Sequence, residues 1–431
     1  MTPLEYDKRH VWHPYASLKD PPRVRLAAGG EGVEIVLADG RRLVDGVSSW
    51  WCVAHGHNHP AIVEAVRRQS ERLCHVMFGG FTHEPAVELA ERIASMAPKG
   101  LNRVFFADSG SISVEVSVKM AIQYQQAKGR PSRCKMVALK GGYHGDTACA
   151  MALSDPDGMH VLFRGMMPRH HFAPKPDGGL EALGGWTREL ERVVDEHDGE
   201  IAGIICEPAF QAANAMNFYP GEYLAELRRI CDERDLVLVF DEIAAGLWRT
   251  GPRWAHECGG ASPDVMCIGK ALTGGHMTLA ATVASERVAD VISSGDVGAF
   301  MHGPTYMANP LACAAANASL DLFARFDYGA MARRIEGEFN DAMPSLAALP
   351  NVKGVRVKGA VGIVEVGRLP SREDIDRVID ETGVWLRPFA NFIYAMPPLV
   401  SDSAAIRRVA DALSAMAALP PGPEVAGDFH E

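Results

Sequence analysis

Short apolar runs of four to six residues, each followed by a longer amphipathic segment, recur through the middle of this chain. That rhythm belongs to α/β folds with a mostly parallel sheet, because each buried strand needs a crossover helix before the next one. The strand candidates are Val104–Ala107, Met136–Leu139, Ile201–Cys206, Leu236–Phe240, Val265–Ile268 and Leu279–Ala284. Helix candidates between and around them include Pro60–Cys74, Pro85–Met96, Arg188–Glu196, Glu222–Arg234 and Pro310–Phe326. From about Tyr328 the pattern changes to helix, short strands (Val352–Val357, Gly362–Val366), helix, strand (Phe392–Ala395) and helix, a separate α+β unit. Near the start, Val33–Leu37 and Arg42–Val44 flank Asp39-Gly40, a hairpin signal. One segment divides the criteria. Ile112, Val114, Val116 and Val118 alternate with polar residues, which by period alone is a strand. Its place directly after a strand, with Ser109 as an N-cap, makes it a helix instead.

Composition limits the partners. Lys+Arg number 43 against 54 Asp+Glu, a net charge of −11 with no basic block, which argues against nucleic acid or an anionic membrane as the main partner. No apolar run approaches the roughly 18–20 residues needed to cross a bilayer, and the first residues lack a secretory h-region. The nine cysteines are scattered without a C-x-x-C pair, as in a reduced, cytoplasmic protein.

The chemistry concentrates at strand ends. Leu236–Phe240 runs into Asp241, and Val265–Ile268 runs into Gly269-Lys270; ligands of parallel sheets bind at such carboxyl ends. Lys270 is the only lysine between Lys175 and Lys353, so it belongs to no solvated charged face. A lysine among apolar neighbours serves as a nucleophilic amine, and an aspartate opposite it can keep a pyridinium nitrogen protonated. Taken alone, the two serve equally well as a structural ion pair. Asp108-Ser-Gly-Ser111, at a strand-to-helix junction, offers hydroxyls and free amides to a phosphate, though capping explains it as well. Gly269-Lys270 is no P-loop: Asp264 stands where the first glycine belongs, and Ala271 follows the lysine. No G-x-G-x-x-G follows a strand. Tyr143, after Met136–Leu139, can stack on a flat ring, while Trp50, Trp51 and Tyr15 are walls of an apolar pocket or core aromatics. His55-Gly-His57-Asn-His59 reads as a loop into the helix from Pro60 rather than a metal site, and His170-His171 as incidental. No metal is expected.

Several stretches belong together: Trp12-His-Pro-Tyr15, Asp45-Gly-Val-Ser-Ser-Trp-Trp51, His75-Val-Met-Phe-Gly-Gly80, Asp108-Ser-Gly-Ser111 and Gly142-Tyr-His-Gly-Asp-Thr147. With them go Asp241-Glu-Ile243, Gly269-Lys-Ala-Leu-Thr-Gly-Gly275, Met301-His-Gly-Pro-Thr305 and Val384-Trp-Leu-Arg-Pro-Phe389. Over nearly its whole length the chain resembles the class III aminotransferases, fold-type I enzymes that depend on pyridoxal 5'-phosphate. The tryptophan-rich and Arg387 motifs are similar to the branch of that class acting on S-adenosyl-L-methionine and 8-amino-7-oxononanoate in biotin synthesis. The resemblance implies a large cofactor-binding domain, 51–327, and a small domain from both termini, 1–50 and 328–431. It implies a Schiff base on Lys270, Asp241 at the pyridine nitrogen, Gly110 and Ser111 on the phosphate, and Tyr143 stacked on the ring. Pro304 and Thr305 would reach the phosphate of a neighbouring subunit, making the active site a property of a homodimer. Arg387 would take the acceptor's carboxylate through its two-pronged fork. Tyr15, Trp50, Trp51 and Gly303 would line the aliphatic channel, with Arg249 and Glu207 in support.

Two loops depart from the family pattern. Gln211-Ala-Ala-Asn-Ala-Met216 stands where Gln-Gly-Ala-Gly-Gly-Met is usual, and Ala245-Gly-Leu-Trp248 where the family has Thr-Gly-Phe-Gly. The added bulk makes a different amino donor, such as lysine, the alternative reading. A catalytically silent cofactor-binding protein is the third, and the intact Lys270 speaks against it.

Overall fold

The computed structural model describes residues 1–423. It separates into two compact units: Met1–His59 together with the chain from Arg333 onward, and Pro60–Ala332.

In the larger unit a seven-stranded sheet has the spatial order Leu101–Ala107, Ala280–Ser285, Val265–Ile268, Val237–Asp241, Ile201–Cys206, Lys135–Leu139, His171–Ala173. Ala280–Ser285 alone runs antiparallel to both its neighbours; the other pairings are parallel. The strands are apolar on both sides because both faces are covered. Ile204, Cys206, Leu238 and Phe240 pack with Trp186, Leu190, Tyr223 and Leu227 of the helices Leu183–Glu196 and Glu222–Arg234. Their alternates, Ala202, Ile205, Val237 and Val239, pack on the opposite face with Val114, Val118, Tyr124 and Val288.

The segment with strand-like alternation is the helix Gly110–Ala127, capped by Ser109, whose side chain accepts from the amide of Ile112 at 3.4 Å. It is buried nearly all round, and small serines fill its polar alternates. Ser113 Oγ donates to the Ala281 carbonyl at 3.0 Å and Ser117 Oγ to the Val114 carbonyl at 2.7 Å, so neither is left unpaired in the core.

In the smaller unit the hairpin Glu34–Leu37/Arg42–Asp45 turns at Asp39-Gly40, with Gly40 at φ 87°. Val384–Trp385 pairs in parallel with Arg42–Asp45 and so joins the two ends of the chain. Gly46 permits the close approach: a Cβ there would lie 2.7 Å from Leu386 and 2.9 Å from the Trp385 carbonyl. Val352–Lys358, Val361–Val366 and Phe392–Ala395 form a separate antiparallel sheet. No helix among the described residues is long and apolar enough to cross a membrane.

Candidate active site

The parallel strands of the larger unit deliver their chemistry at one set of ends. Val237–Asp241 finishes on Asp241, which is 4% exposed. One carboxylate oxygen accepts from the Ile243 amide at 3.1 Å, and the other meets His144 Nδ1 at 2.8 Å. His144 follows the strand Lys135–Leu139, separated from Val237–Asp241 by Ile201–Cys206 in the sheet, and is itself buried. Burial alone would lower its pKa, but the hydrogen bond and charge of Asp241, with Glu207 adding to them, outweigh that and raise it, which favours the protonated imidazole beside the carboxylate.

Glu207, just past Ile201–Cys206, completes this buried group. Its two oxygens accept from the amides of Tyr143 and Ala212, each at 2.9 Å. Burial, with Asp241 nearby, pushes its carboxyl up to about 7 against the pull of His144. Glu207 thereby fastens the backbone of Tyr143, whose ring lies 5.9 Å from the buried His160, nearly parallel at 25°. His160 in turn meets Asp146 at 2.9 Å.

At the end of Leu101–Ala107, Asp108-Ser-Gly-Ser111 turns into the long helix. The amides of Gly110 and Ser111 have no place in the helix ladder, which suits an anion. Ile243 closes over this turn: a Cβ on Gly110 would sit 3.1 Å from its side chain, and one on Gly269 3.4 Å away. Gly145, at φ 125°, lets the Tyr143–Asp146 loop lie against Ser111; a Cβ there would fall 2.1 Å from Ser111 Oγ. Lys270 follows Val265–Ile268 with a left-handed φ of 42° and opens a single 3-10 turn. A flat, phosphorylated aldehyde cofactor fits this donor set: amides and a hydroxyl for phosphate, a buried carboxylate backed by an imidazole for a ring nitrogen, an aromatic face, and an amine.

Gly303, Pro304 and Thr305 lie on a loop of the larger unit anchored by His302, whose Nδ1 meets Lys119 Nζ at 2.9 Å. Gly303 and Thr305 are exposed.

Tyr15, Trp50, Trp51 and Arg387 belong to the smaller unit. The Arg387 guanidinium lies 4.8 Å from the centre of the Trp50 ring and 5.8 Å from that of Tyr15. Both aromatics are exposed, whereas Trp51 is buried with its ring edge-on to Tyr394 at 6.1 Å. Four consecutive residues here, Ser48 to Trp51, have positive φ between 47° and 72°. That is a turn of left-handed helix, which costs about 1–2 kcal/mol per non-glycine residue.

The departing loops are absorbed locally. Trp248, at φ 65°, stacks on Phe323 at 5.0 Å and leans on Tyr328 at 6.0 Å. Asn214 donates to the Gly142 carbonyl at 3.4 Å and rests on Gly158, where a Cβ would meet it at 2.9 Å. Arg249 is buried in the same loop as Trp248.

The sequence motifs pointed to Lys270, Asp241 and Tyr143 but gave no separate role to His144, His160 or Ile243; the strand-end position of Gly142-Tyr-His144 was the available signal. Of the histidine motifs, His57 bonds Asp45 at 3.0 Å. His171, His197 and Glu200 bring one ligand atom each within 4.8 Å of one another. Their imidazoles are stacked at 3.7 Å and 16°, so the in-plane lone pairs run parallel instead of converging on one ion.

Fold and site together define a pyridoxal-phosphate-dependent transferase. Residues 16–417 match the family of class-III aminotransferases. The adenosylmethionine-8-amino-7-oxononanoate aminotransferase of Buchnera aphidicola is 40% identical over 95% of this chain and 96% of its own. The crystal structure of the enzyme of that name from Methanocaldococcus jannaschii superposes with a TM-score of 0.87 at 30% identity, covering 95% of this chain and 97% of that one. An amine transaminase from an uncultivated Pseudomonas species, solved in a PLP-bound form, matches at 29% identity and TM-score 0.87, over 95% and 98% of the two chains. The chain belongs to the class III aminotransferases.

Proposed function

We propose that this enzyme moves the amino group of S-adenosyl-L-methionine to 8-amino-7-oxononanoate, giving 7,8-diaminononanoate for biotin synthesis. The observation that carries the reading is Arg387 set against Trp50 and Tyr15: a cation for a carboxylate, with exposed aromatic surface beside it for an aliphatic chain. The names of full-length relatives agree with it.

When bound, pyridoxal phosphate supplies an electron sink that makes the carbon bearing the amine acidic. Lys270 Nζ would anchor it and serve as the base that takes the donor's α-proton and later gives it back. Asp241, hydrogen-bonded to His144, would pair with the ring nitrogen; Gly110 and Ser111 would hold the phosphate, and Tyr143 would stack on the ring. Arg387 fixes the acceptor by its carboxylate, while Tyr15, Trp50, Trp51 and Gly303 border the chain of methylenes. Lys270, Asp241 and Tyr15 carry the chemistry in this scheme.

We further propose a cytoplasmic homodimer in which Pro304 and Thr305 serve the neighbour's phosphate. Supporting it, Met77, Phe81, Met301 and Tyr306 are all more than half exposed on the larger unit, a surface that favours a partner. The nine cysteines, scattered and without a C-x-x-C pair, agree with a reducing compartment.

The test is the visible spectrum of purified enzyme. A yellow band that bleaches with S-adenosyl-L-methionine and returns with 8-amino-7-oxononanoate establishes donor and acceptor; bleaching by lysine alone would reassign the donor. Lys270→Ala should abolish turnover, and undiminished transamination in that variant would sink the assignment.

A further inference from the structure

We propose that Asp45, with His57 behind it, is the positioning residue for Arg387: the pair winds the left-handed turn that sets Trp50 against the guanidinium. This rests on reading Arg387 as the receptor for the acceptor's carboxylate.

Asp45 ends the strand Arg42–Asp45 and is wholly buried. One of its oxygens accepts from the Val47 amide at 3.3 Å. The other takes Ser49 Oγ at 2.7 Å and His57 Nε2 at 3.0 Å. Those first two partners stand at the entrance of the left-handed turn, whose own ladder is Trp51 N–H to the Val47 carbonyl (2.9 Å) and Cys52 N–H to that of Ser48 (3.0 Å). L-residues do not hold four such conformations in a row without outside constraint. Asp45 supplies that constraint at one end, and Ser48 Oγ, donating to the Met396 carbonyl at 2.6 Å, supplies it at the side. A relaxed turn would swing Trp50 off Arg387.

His57 is built into place as firmly as the carboxylate it serves. Its amide donates to the Gly32 carbonyl at 2.6 Å, and Gly30 lies so close that a Cβ there would sit 2.7 Å from His57 Cβ. An aspartate buried without this donor would lose its one ring N–H partner, so the histidine keeps the carboxylate facing the turn. Of the run His55-Gly-His57-Asn-His59, this member has a task that neither metal binding nor simple loop entry describes.

The experiment compares two acceptors, 8-amino-7-oxononanoate and 2-amino-3-octanone, the same amino ketone without the carboxylate. His57→Leu should raise KM for the carboxylated acceptor about tenfold, equivalent to about 1.4 kcal/mol, and that of the octanone, which loses only the Trp50 wall, by about threefold or less. His57→Gln, which keeps a donor at nearly the same reach, should restore most of the difference. Ser49→Ala, a milder change that keeps the pair, should give about a threefold effect on the same substrate. A second readout needs no turnover: quenching of tryptophan fluorescence by octanoate, which should weaken in parallel and disappear in Arg387→Ala. KM values that rise by the same factor for both acceptors, or octanoate affinity indifferent to His57 and Ser49, would overturn the proposal. If wild type uses neither acceptor yet binds octanoate in a His57-dependent way, the acceptor assignment fails and the positioning role stands.

Discussion

A single carboxyl shows how the site is paid for in pH. Glu207 is buried with both oxygens on backbone amides, and its pKa lies near 7 against an ordinary 4.5. The folded protein therefore binds a proton more readily than the unfolded chain, and stability falls as pH rises from about 4.5 through about 7. Glu207→Gln removes this titration but can accept only one of the two amides. The variant should be less stable than wild type by about 1–3 kcal/mol at pH 5, with the gap narrowing toward pH 8. Urea titrations at the two pH values check it; parallel curves would show that Glu207 is ionised throughout. The family resemblance gave Glu207 only a supporting place, and nothing in the sequence showed that Tyr143 and Ala212 hang their amides on it.

At the scale of elements, the parallel sheet was legible because burial on both faces leaves apolar runs that hardly depend on register. Ile201–Cys206, Val265–Ile268 and Glu222–Arg234 fall where the pattern puts them. Gly110–Ala127 shows where periodicity misleads: a helix buried all round need not keep a polar stripe, and Ser113 and Ser117 satisfy themselves inside. The strand His171–Ala173 is too short for a pattern, and the left-handed turn at Ser48–Trp51 has no glycine to announce it. Trp248 looked like added bulk near the cofactor, yet its ring is spent on Phe323 and Tyr328. Restoring the family's residue, Trp248→Gly, should therefore leave the ratio of rates with S-adenosyl-L-methionine and lysine unchanged. It should still destabilise the fold by about 2–4 kcal/mol, since relief at φ 65° returns only about 1 of what the emptied contact loses. Calorimetry and a two-donor rate comparison decide it; a shifted donor ratio would tie this loop to specificity.

For the whole molecule, in the proposed scheme the chain's own residues would supply the amine, the ring-nitrogen carboxylate and two phosphate amides, while Pro304 and Thr305 lie on a loop of the larger unit with Thr305 exposed. If that loop serves a neighbour, cofactor retention and assembly are linked, because a ligand held by both copies stabilises the dimer by mass action. Two variants separate the contributions. Thr305→Ala removes a hydroxyl from the exposed loop without touching the apolar surface, so it should keep a mass of about twice 46.6 kDa by light scattering while releasing cofactor about tenfold more readily. Met301→Asp puts a charge on a side chain that is 70% exposed in the single chain. In a dimer interface that charge is desolvated without a partner, so the variant should shift toward the 46.6 kDa species and lose its yellow colour in step with the mass. A 46.6 kDa protein that holds pyridoxal phosphate as tightly as wild type would mean that one copy builds the phosphate site unaided. Pro304 and Thr305 would then be surface residues, and Gly110, Ser111 and the helix they begin would be sufficient for the anion.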